Sequence, residues 1–227
     1  ETGLIERGEL ARPRRGIRFL WVPEINGTYA YLSQHEPELP NWIAGLNLDM
    51  VGADQHQTGS VFMLERPPEA VASFAPDLLE RLREDLFDYF PYRVVRSSAP
   101  LFRHAVSGFT GGSDHLILSD PTVGVPTPML IQWPDRYWHT SADTVDKVDP
   151  RMLGRVAVLA AAYAYWLATA GEQEAFWLGQ EMRTRFEARL GRRAQQAIEQ
   201  GLSAETPAAQ SRLEAGAHLL AQPESLL

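Results

Sequence analysis

The sequence of 227 residues contains no cysteine and few basic residues. Without cysteine there is no disulfide bond, thiolate metal site or cysteine nucleophile, so carboxylate and imidazole groups would have to hold any metal ion. The 21 Lys and Arg residues are outnumbered by 29 Asp and Glu residues, and the formal net charge is −8. Since nucleic acids and anionic membranes both call for a basic surface, neither is expected as a partner.

The chain also has no hydrophobic run of membrane-spanning length. The longest, Val156 to Ala170, has 15 residues, fewer than the roughly 20 that a transmembrane helix needs. We therefore expect a buried helix there and no membrane partner. Glu1 to Arg15 is charged and has no apolar stretch of the signal-peptide kind. This favours the cytoplasm as the compartment, although a lack of cysteine also fits exported proteins.

Hydrophobic residues make up 44% of the chain and aromatic residues 10%, as in globular proteins with a sizeable core. Apolar runs bounded by Gly or Pro predict strands, and apolar residues at helical spacing predict helices. The predicted strands are 17–22, 43–51, 60–64 and 127–132. Helices are predicted at 29–32, 68–90 and 113–118 and from Pro150 onward, with loops at 37–40 and 92–112.

The alternation of strands and helices predicts a layered α/β domain over residues 1–171, because buried strands need helices on both faces. Residues 172–227 differ, since they are charged and amphipathic with apolar side chains at helical spacing. We interpret them as a helical extension that serves in packing or in the formation of a homo-oligomer.

Asp49 stands inside the apolar run 43–51, where a carboxylate is unexpected. Burying a carboxylate is unfavourable unless a cation or strong hydrogen-bond donors compensate for it. A metal ion would do so, and so would the backbone N–H groups of a neighbouring loop. This segment alone does not decide between the two.

Two further segments carry candidate site residues. Like Glu24 and Asp49, His139 lies where a predicted strand ends, the place where open α/β sheets bind ligands. His139 follows the strand 127–132, with aromatic residues before it and acidic and hydroxyl groups after it, as around zinc-bound histidines. A single loop histidine is nevertheless more often structural. The segment Gly111-Gly112-Ser113-Asp114-His115 combines backbone freedom with an acid and an imidazole, and it also fits a helix N-cap.

Taken in order, these segments resemble the zinc-dependent aminopeptidase family, which includes glutamate carboxypeptidases, glutaminyl cyclases and the non-catalytic transferrin receptor ectodomain. The resemblance covers about residues 17–170. It rests on an Ile-Arg-Phe strand leading to Glu24, then Asn-Leu-Asp-Met-Val-Gly at 47–52, Ser-Asp-His at 113–115, Gly-Val-Pro at 124–126 and His-Thr-x-x-Asp-Thr at 139–144. It implies a three-layer sandwich with a mixed, mostly parallel central sheet, in a divergent aminopeptidase-like branch.

The resemblance also implies roles for individual residues. Asp49 matches a ligand of one zinc ion and His139 a ligand of the other, in a complete site that holds one or two ions. Asp114 and His115 match a pair near the site, and with Tyr137 they are expected to support the ligands or to face the substrate. The implied substrate is a peptide or a small amide.

Glu24 departs from the family pattern, in which two consecutive glutamates end the strand, the first as general base and the second as zinc ligand. Here the residues read Pro23-Glu24-Ile25. Aligning Glu24 with the second glutamate removes the usual base, whereas aligning on Gly27 makes Glu24 the base and puts Ile25 in the ligand place. We prefer the second alignment and expect Glu24 to be the general base.

The family's remaining ligands, a His-x-Asp motif and a bridging Asp, lie before the strand that starts at Ile17. The 16 residues before Ile17 contain neither His nor Asp. The chain therefore resembles the C-terminal portion of the domain and carries part of the site. Hydrolysis by an aminopeptidase is the expected function, and the alternatives are glutaminyl-cyclase-like acyl transfer and a non-catalytic binding module.

Overall fold

The computed structural model describes residues 2–89 and 102–202. In chain order, its helices and strands are α1 Thr2–Glu6, α2 Asn26–His35, β1 Asn47–Asp49, α3 Gln55–Thr58, β2 Val61–Glu65, α4 Ala75–Tyr89, β3 His104–Ser107, α5 His115–Leu118, β4 Met129–Trp133, α6 Pro150–Thr169 and α7 Glu172–Leu202. Short 3-10 helices cover Glu36–Asn41 and Val145–Lys147.

The four strands form one sheet in the order β1-β4-β2-β3. β1 runs parallel to β4 and β2 runs parallel to β3, whereas β2 and β4 are antiparallel. The sheet is therefore mixed and mostly parallel, as expected. Parallel neighbours need long crossover connections, and helices supply them here.

Helices cover both faces of this sheet. Phe62 of β2 is paired with His104 of β3, so the two side chains share a face. His104 Nδ1 lies 2.7 Å from a guanidinium nitrogen of Arg83, which places α4 on that face. Glu65 points to the opposite face and contacts His115 of α5 there. The predicted three-layer α/β class is confirmed.

The core lies mainly between the sheet and the α4 and α6 helices, which contact each other. Asp149 caps α6 by accepting a hydrogen bond from the Arg151 amide at 2.9 Å. By length and composition α6 could cross a membrane, but one side of it is packed inside the protein. The buried side chains of α6 include Met152, Val156, Leu159, Tyr163 and Leu167.

The predicted strand 17–22 is wrong. Residues 11–23 have no helix or strand, and Phe19 and Trp21 are 69% and 85% exposed. A strand needs a neighbour to which its backbone can hydrogen-bond, and none of the strands that the structure describes pairs with this segment. The apolar run is present, but no described strand pairs with it and most of its side chains are exposed.

Other elements differ in extent. The strand predicted at 43–51 is confirmed over Asn47–Asp49, and residues 37–40 belong to a 3-10 helix instead of a loop. β3 was not predicted, because its short segment lies in a stretch whose composition favours a loop. The last residue of the predicted helix 68–90, and the part of the predicted C-terminal helical region beyond Leu202, lie outside the described residues.

The chain divides into two compact units, Glu1–Leu178 and Gly179–Leu227. The first contains the whole sheet and every residue of the candidate site. The second begins within α7, where i,i+4 ion pairs such as Arg183 with Glu187 line the helix surface. A division at residue 171, with a role for the extension in self-association, stays a prediction.

Candidate metal and peptidase site

Asp49 lies at the end of β1, and His139 follows its parallel neighbour β4. Asp49 ends β1 and is paired with Ile131 of β4, and β4 ends two residues later at Trp133. A cis peptide bond joins Trp133 to Pro134, and the chain then reaches His139. Because parallel strands end at the same edge of a sheet, Asp49 and the segment that carries His139 leave the sheet at one edge.

The strand register also places Asp49 and Glu65 on one face. Cross-strand partners share a face and alternate residues of a strand return to it. Asn47 and Glu65 are both paired with Met129, and Asp49 is two residues beyond Asn47. All three side chains therefore belong to the face opposite α4, which we call the site face.

A loop at residues 110–115 joins distant parts of the site face. Asp114 Oδ1 accepts a hydrogen bond from the Ile25 amide at 2.8 Å, directly after Glu24. Asn47 Nδ2 donates to Ser113 Oγ at 2.7 Å. Although Asp114 precedes α5, its side chain makes no capping hydrogen bond. Its carboxylate contacts the Glu24 segment instead of serving as a helix cap.

Unfavourable backbone conformations coincide with the predicted site. Among the described residues, the non-glycine residues with positive φ are Ile25 at 61°, Met50 at 50° and His139 at 57°. Ile25 follows Glu24, and Met50 follows Asp49. A positive φ is rare for a residue with a side chain, above all for β-branched isoleucine, and such strain concentrates at functional sites.

The turn after Asp49 is held by a residue that the sequence did not single out. The buried Gln132 side chain accepts hydrogen bonds from the Gly52 and Ala53 amides, at 2.6 and 2.8 Å, and donates to the Ala53 carbonyl at 2.8 Å. Gly52 has φ of 97°, and a Cβ there would lie 2.9 Å from Leu153 Cδ1. Gln132 and Gly52 thus fix the chain directly beyond Asp49.

Aromatic residues precede His139, and one of them contacts it. The Trp138 ring stacks on the imidazole with a centroid distance of 3.9 Å, and Trp133 meets Trp138 edge-on at 5.0 Å. Trp133 and Trp138 are 37% and 44% exposed, so they line a surface instead of filling the core. Tyr137 is half-buried, with the Lys147 ammonium 4.9 Å from its ring centroid. The predicted role of Tyr137 stays a prediction.

His115 is completely buried and contacts Glu65, a second residue that sequence reasoning missed. Burial by itself raises the pKa of the Glu65 carboxyl, but hydrogen bonds from His115 and Thr110 outweigh it and hold this pKa below its ordinary value. Glu65 is therefore ionised at neutral pH. An acid at the end of an apolar strand, the signal that identified Asp49, would also have identified Glu65.

The donor atoms at the site fit a zinc ion in part. A carboxylate and an imidazole are ordinary zinc ligands, and Asp49 and His139 would supply one of each. Among the residues that the structure describes, no group of three or more His, Cys, Asp or Glu side chains could hold a metal ion. Two donors are fewer than the three or four that zinc sites in proteins use.

The family of the chain follows from its sequence profile. Residues 6–164 match the profile of peptidase family M28. The chain belongs to peptidase family M28. The match spans the sheet, the 110–115 loop and both predicted ligands, so the resemblance inferred from the order of motifs is confirmed. No curated protein sequence is similar enough to count as a match.

The chain is similar to several solved structures. A protein described as a candidate peptidase from Clostridium acetobutylicum matches 74% of this chain with a TM-score of 0.54 and 20% identity. An aminopeptidase from Aneurinibacillus sp. strain AM-1 matches 65% at a TM-score of 0.46 and 23% identity. BSAP, a zinc aminopeptidase from Bacillus subtilis, matches 66% at a TM-score of 0.49 and 19% identity. The matched regions are 36%, 31% and 34% of those proteins, so the chain corresponds to about a third of each.

Proposed function

We propose that the protein containing this chain is a zinc-dependent hydrolase that removes an N-terminal residue from a peptide or cleaves a small amide. The observation that carries this proposal is the placement of Asp49 at the end of β1 and of His139 after its parallel neighbour β4, within a chain of peptidase family M28. Asp49 and His139 would hold part of the zinc site, and further ligands would come from sequence before Glu1.

Bound zinc would polarise the scissile carbonyl and lower the pKa of water towards neutrality. Glu24 would act as the general base, accepting a proton from the attacking water and returning it to the leaving amine. Its side chain is exposed and free to meet a substrate. Asp114 would support this step, because it holds the amide of the next residue, Ile25.

The exposed tryptophans would form the wall of the substrate site beside His139. Trp133 and Trp138 contact each other edge-on and leave much of their surface open. Burying this surface against a substrate would exclude water from the reacting groups, which strengthens electrostatic interactions there.

The test uses the full-length protein with its bound metal. Zinc per chain is measured by mass spectrometry, and activity on an aminoacyl p-nitroanilide is measured alongside. Asp49→Asn and His139→Gln should both lower zinc content, whereas Asp85→Asn and His56→Gln, which change exposed residues that the proposal does not use, should not. Glu24→Gln should keep its zinc and lose about 100- to 10,000-fold in kcat.

Other results would point to different functions. Near-zero zinc in a stably folded full-length protein would contradict the proposal and favour a non-catalytic binding module. Loss of ammonia from an N-terminal glutaminyl peptide, without hydrolysis of the p-nitroanilide, would favour a glutaminyl-cyclase-like reaction. Undiminished hydrolysis by Glu24→Gln would exclude Glu24 as the base.

A further inference from the structure

Glu65 is a buried carboxylate that the proposed reaction does not use. It ends β2 and is 2% exposed. Its oxygens accept hydrogen bonds from the Thr110 amide and the Thr110 hydroxyl, both at 2.7 Å, and from His115 Nε2 at 2.8 Å. We call Glu65, Thr110 and His115 the Glu65 cluster. Because both oxygens of this buried carboxylate are hydrogen-bonded, the contacts hold Glu65 in one arrangement.

The orientation of His115 depends on Glu65. His115 has no exposed surface, and its Nδ1 has no hydrogen-bond partner among the residues that the structure describes. The bond from Nε2 to Glu65 therefore sets the direction of the ring. Phe109 packs edge-on against the imidazole at a centroid distance of 5.4 Å. Since Glu65 is ionised, Nε2 carries the proton that it donates.

The Glu65 cluster holds both ends of the 110–115 loop. Between Thr110 and His115 lie Gly111 and Gly112, with φ of 76° and 92°. Glycine has more backbone freedom than any other residue, and fixing it costs the most conformational entropy. With Thr110 and His115 both bound to Glu65, this pliable segment is tied at its two ends to the same carboxylate.

The 110–115 loop also supplies the contacts to the Glu24 segment and to β1. Asp114, next to His115, accepts the hydrogen bond from the Ile25 amide. Ser113 accepts the one from Asn47. A shift of the loop would therefore move the Asp114 carboxylate away from the peptide that follows Glu24.

We propose that Glu65 is a positioning residue, which through Thr110 and His115 holds Asp114 against the Ile25 amide and so fixes the direction of the Glu24 carboxylate. This inference rests on the proposed role of Glu24 as general base. Proton transfer is sensitive to such placement, since a displacement of about 1 Å can cost about 100-fold in rate.

The test compares Glu65→Ala and Glu65→Gln with Asp77→Asn in the zinc-loaded full-length protein. Asp77 is a matched control, because it is also 2% exposed but lies on α4 and pairs with Arg66 at 3.1 Å. Glu65→Ala should lower kcat about 10- to 100-fold and change KM little. Glu65→Gln should recover part of the loss, since its amide oxygen still accepts one bond. Asp77→Asn should keep kcat.

Two readouts separate positioning from general destabilisation. The acid limb of the pH profile of kcat/KM reports the general base. The pH at its midpoint should shift in the Glu65 variants and stay unchanged in Asp77→Asn. The double variant Glu65→Ala with Asp114→Ala should lose no more kcat than Asp114→Ala alone, because Glu65 acts through Asp114 and both changes interrupt the same chain of contacts. Multiplied losses, or a wild-type kcat and pH profile in the Glu65 variants, would overturn the proposal.

Amide hydrogen exchange keeps the two proposals distinguishable. The peptide covering residues 110–115 should exchange faster in Glu65→Gln than in the wild type, and no faster in Asp77→Asn. If Glu24→Gln retains activity while this exchange pattern holds, the role of Glu24 fails and the anchoring of the loop stands. Unchanged exchange in Glu65→Gln would refute the anchoring by itself.

Discussion

Two regions of the molecule reverse the usual distribution of polar and apolar side chains. In the Glu65 cluster, a carboxylate and an imidazole are buried on the site face. In the segment 17–22, which we call the apolar segment, Phe19 and Trp21 are mostly exposed. The sequence suggests the opposite, since acids normally lie outside and large apolar side chains inside.

The difference shows that burial here follows the partners available, not polarity alone. Each oxygen of Glu65 has a donor supplied by the 110–115 loop, so the carboxylate is buried without being left unpaired. The apolar segment has no paired strand among the described residues. The same rule predicts how each region responds when its partners are changed.

The largest expected effect is on the Glu65 cluster. Glu65→Ala leaves the Nε2–H group of the buried His115 unpaired, removes the acceptors of Thr110 and opens a cavity, so the free energy of unfolding should fall by about 3 to 5 kcal/mol. Urea unfolding followed by circular dichroism measures this loss. The exposed control Asp85→Asn should stay within about 0.5 kcal/mol of the wild type. A loss below about 1 kcal/mol for Glu65→Ala would mean that the cluster does not stabilise the fold.

Gln132 tests whether a neutral side chain has a similar role. Gln132→Leu removes the partners of the Gly52 and Ala53 amides and of the Ala53 carbonyl. Unfolding free energy should fall by about 2 to 3 kcal/mol, because buried backbone groups are left unsatisfied. The same urea titration measures this loss. Gln57→Leu, at a partly exposed position, is the control and should cost less.

Acid should weaken the Glu65 cluster before it affects uncharged parts of the core. The folded pKa of Glu65 is held below its unfolded value of about 4.3, so its stabilisation is complete above that pH and is lost as pH falls through the folded pKa. Unfolding free energies measured between pH 6 and pH 3 should fall less steeply in Glu65→Gln. Equal slopes in the two proteins would contradict an ionised Glu65.

The smallest effect is expected in the apolar segment. Trp21→Ser should change the unfolding free energy of this chain by no more than about 0.5 kcal/mol, because the indole is already exposed to water. Calorimetry of the isolated chain and of the full-length protein provides the comparison. A loss above about 1 kcal/mol only in the full-length protein would show that sequence outside this chain covers the segment.

Much of the fold could be predicted because the local pattern and the final environment agree. β2 and β4 are short apolar runs bounded by turn residues, and both lie within one or two residues of the predicted positions. The apolar segment has an equally strong strand pattern, and there the prediction is wrong. A strand pattern indicates which side chains a segment can bury, but strand pairing depends on a neighbouring strand that lies elsewhere in the sequence.

The sequence predicted candidate ligands but not the contacts around them. Asp49 and His139 were predicted as ligands from the order of motifs, and the register explains why Asp49 and the segment that carries His139 leave the sheet at one edge. The hydrogen bond between Ile25 and Asp114 joins residues 89 positions apart. The spacing of apolar residues in the sequence does not predict such a contact. Gln132 was missed because an amide at the end of a strand is usually solvent-facing.

The sequence by itself determined the family, the chemical types of the candidate ligands, and the strands and helices whose apolar pattern is complete within one segment. The tertiary structure alone decided which polar groups are buried. It did so because a buried carboxylate needs donors, and those of Glu65 come from residues 45 and 50 positions further along the chain. It also decided that the apolar segment stays exposed, since covering it requires a partner surface.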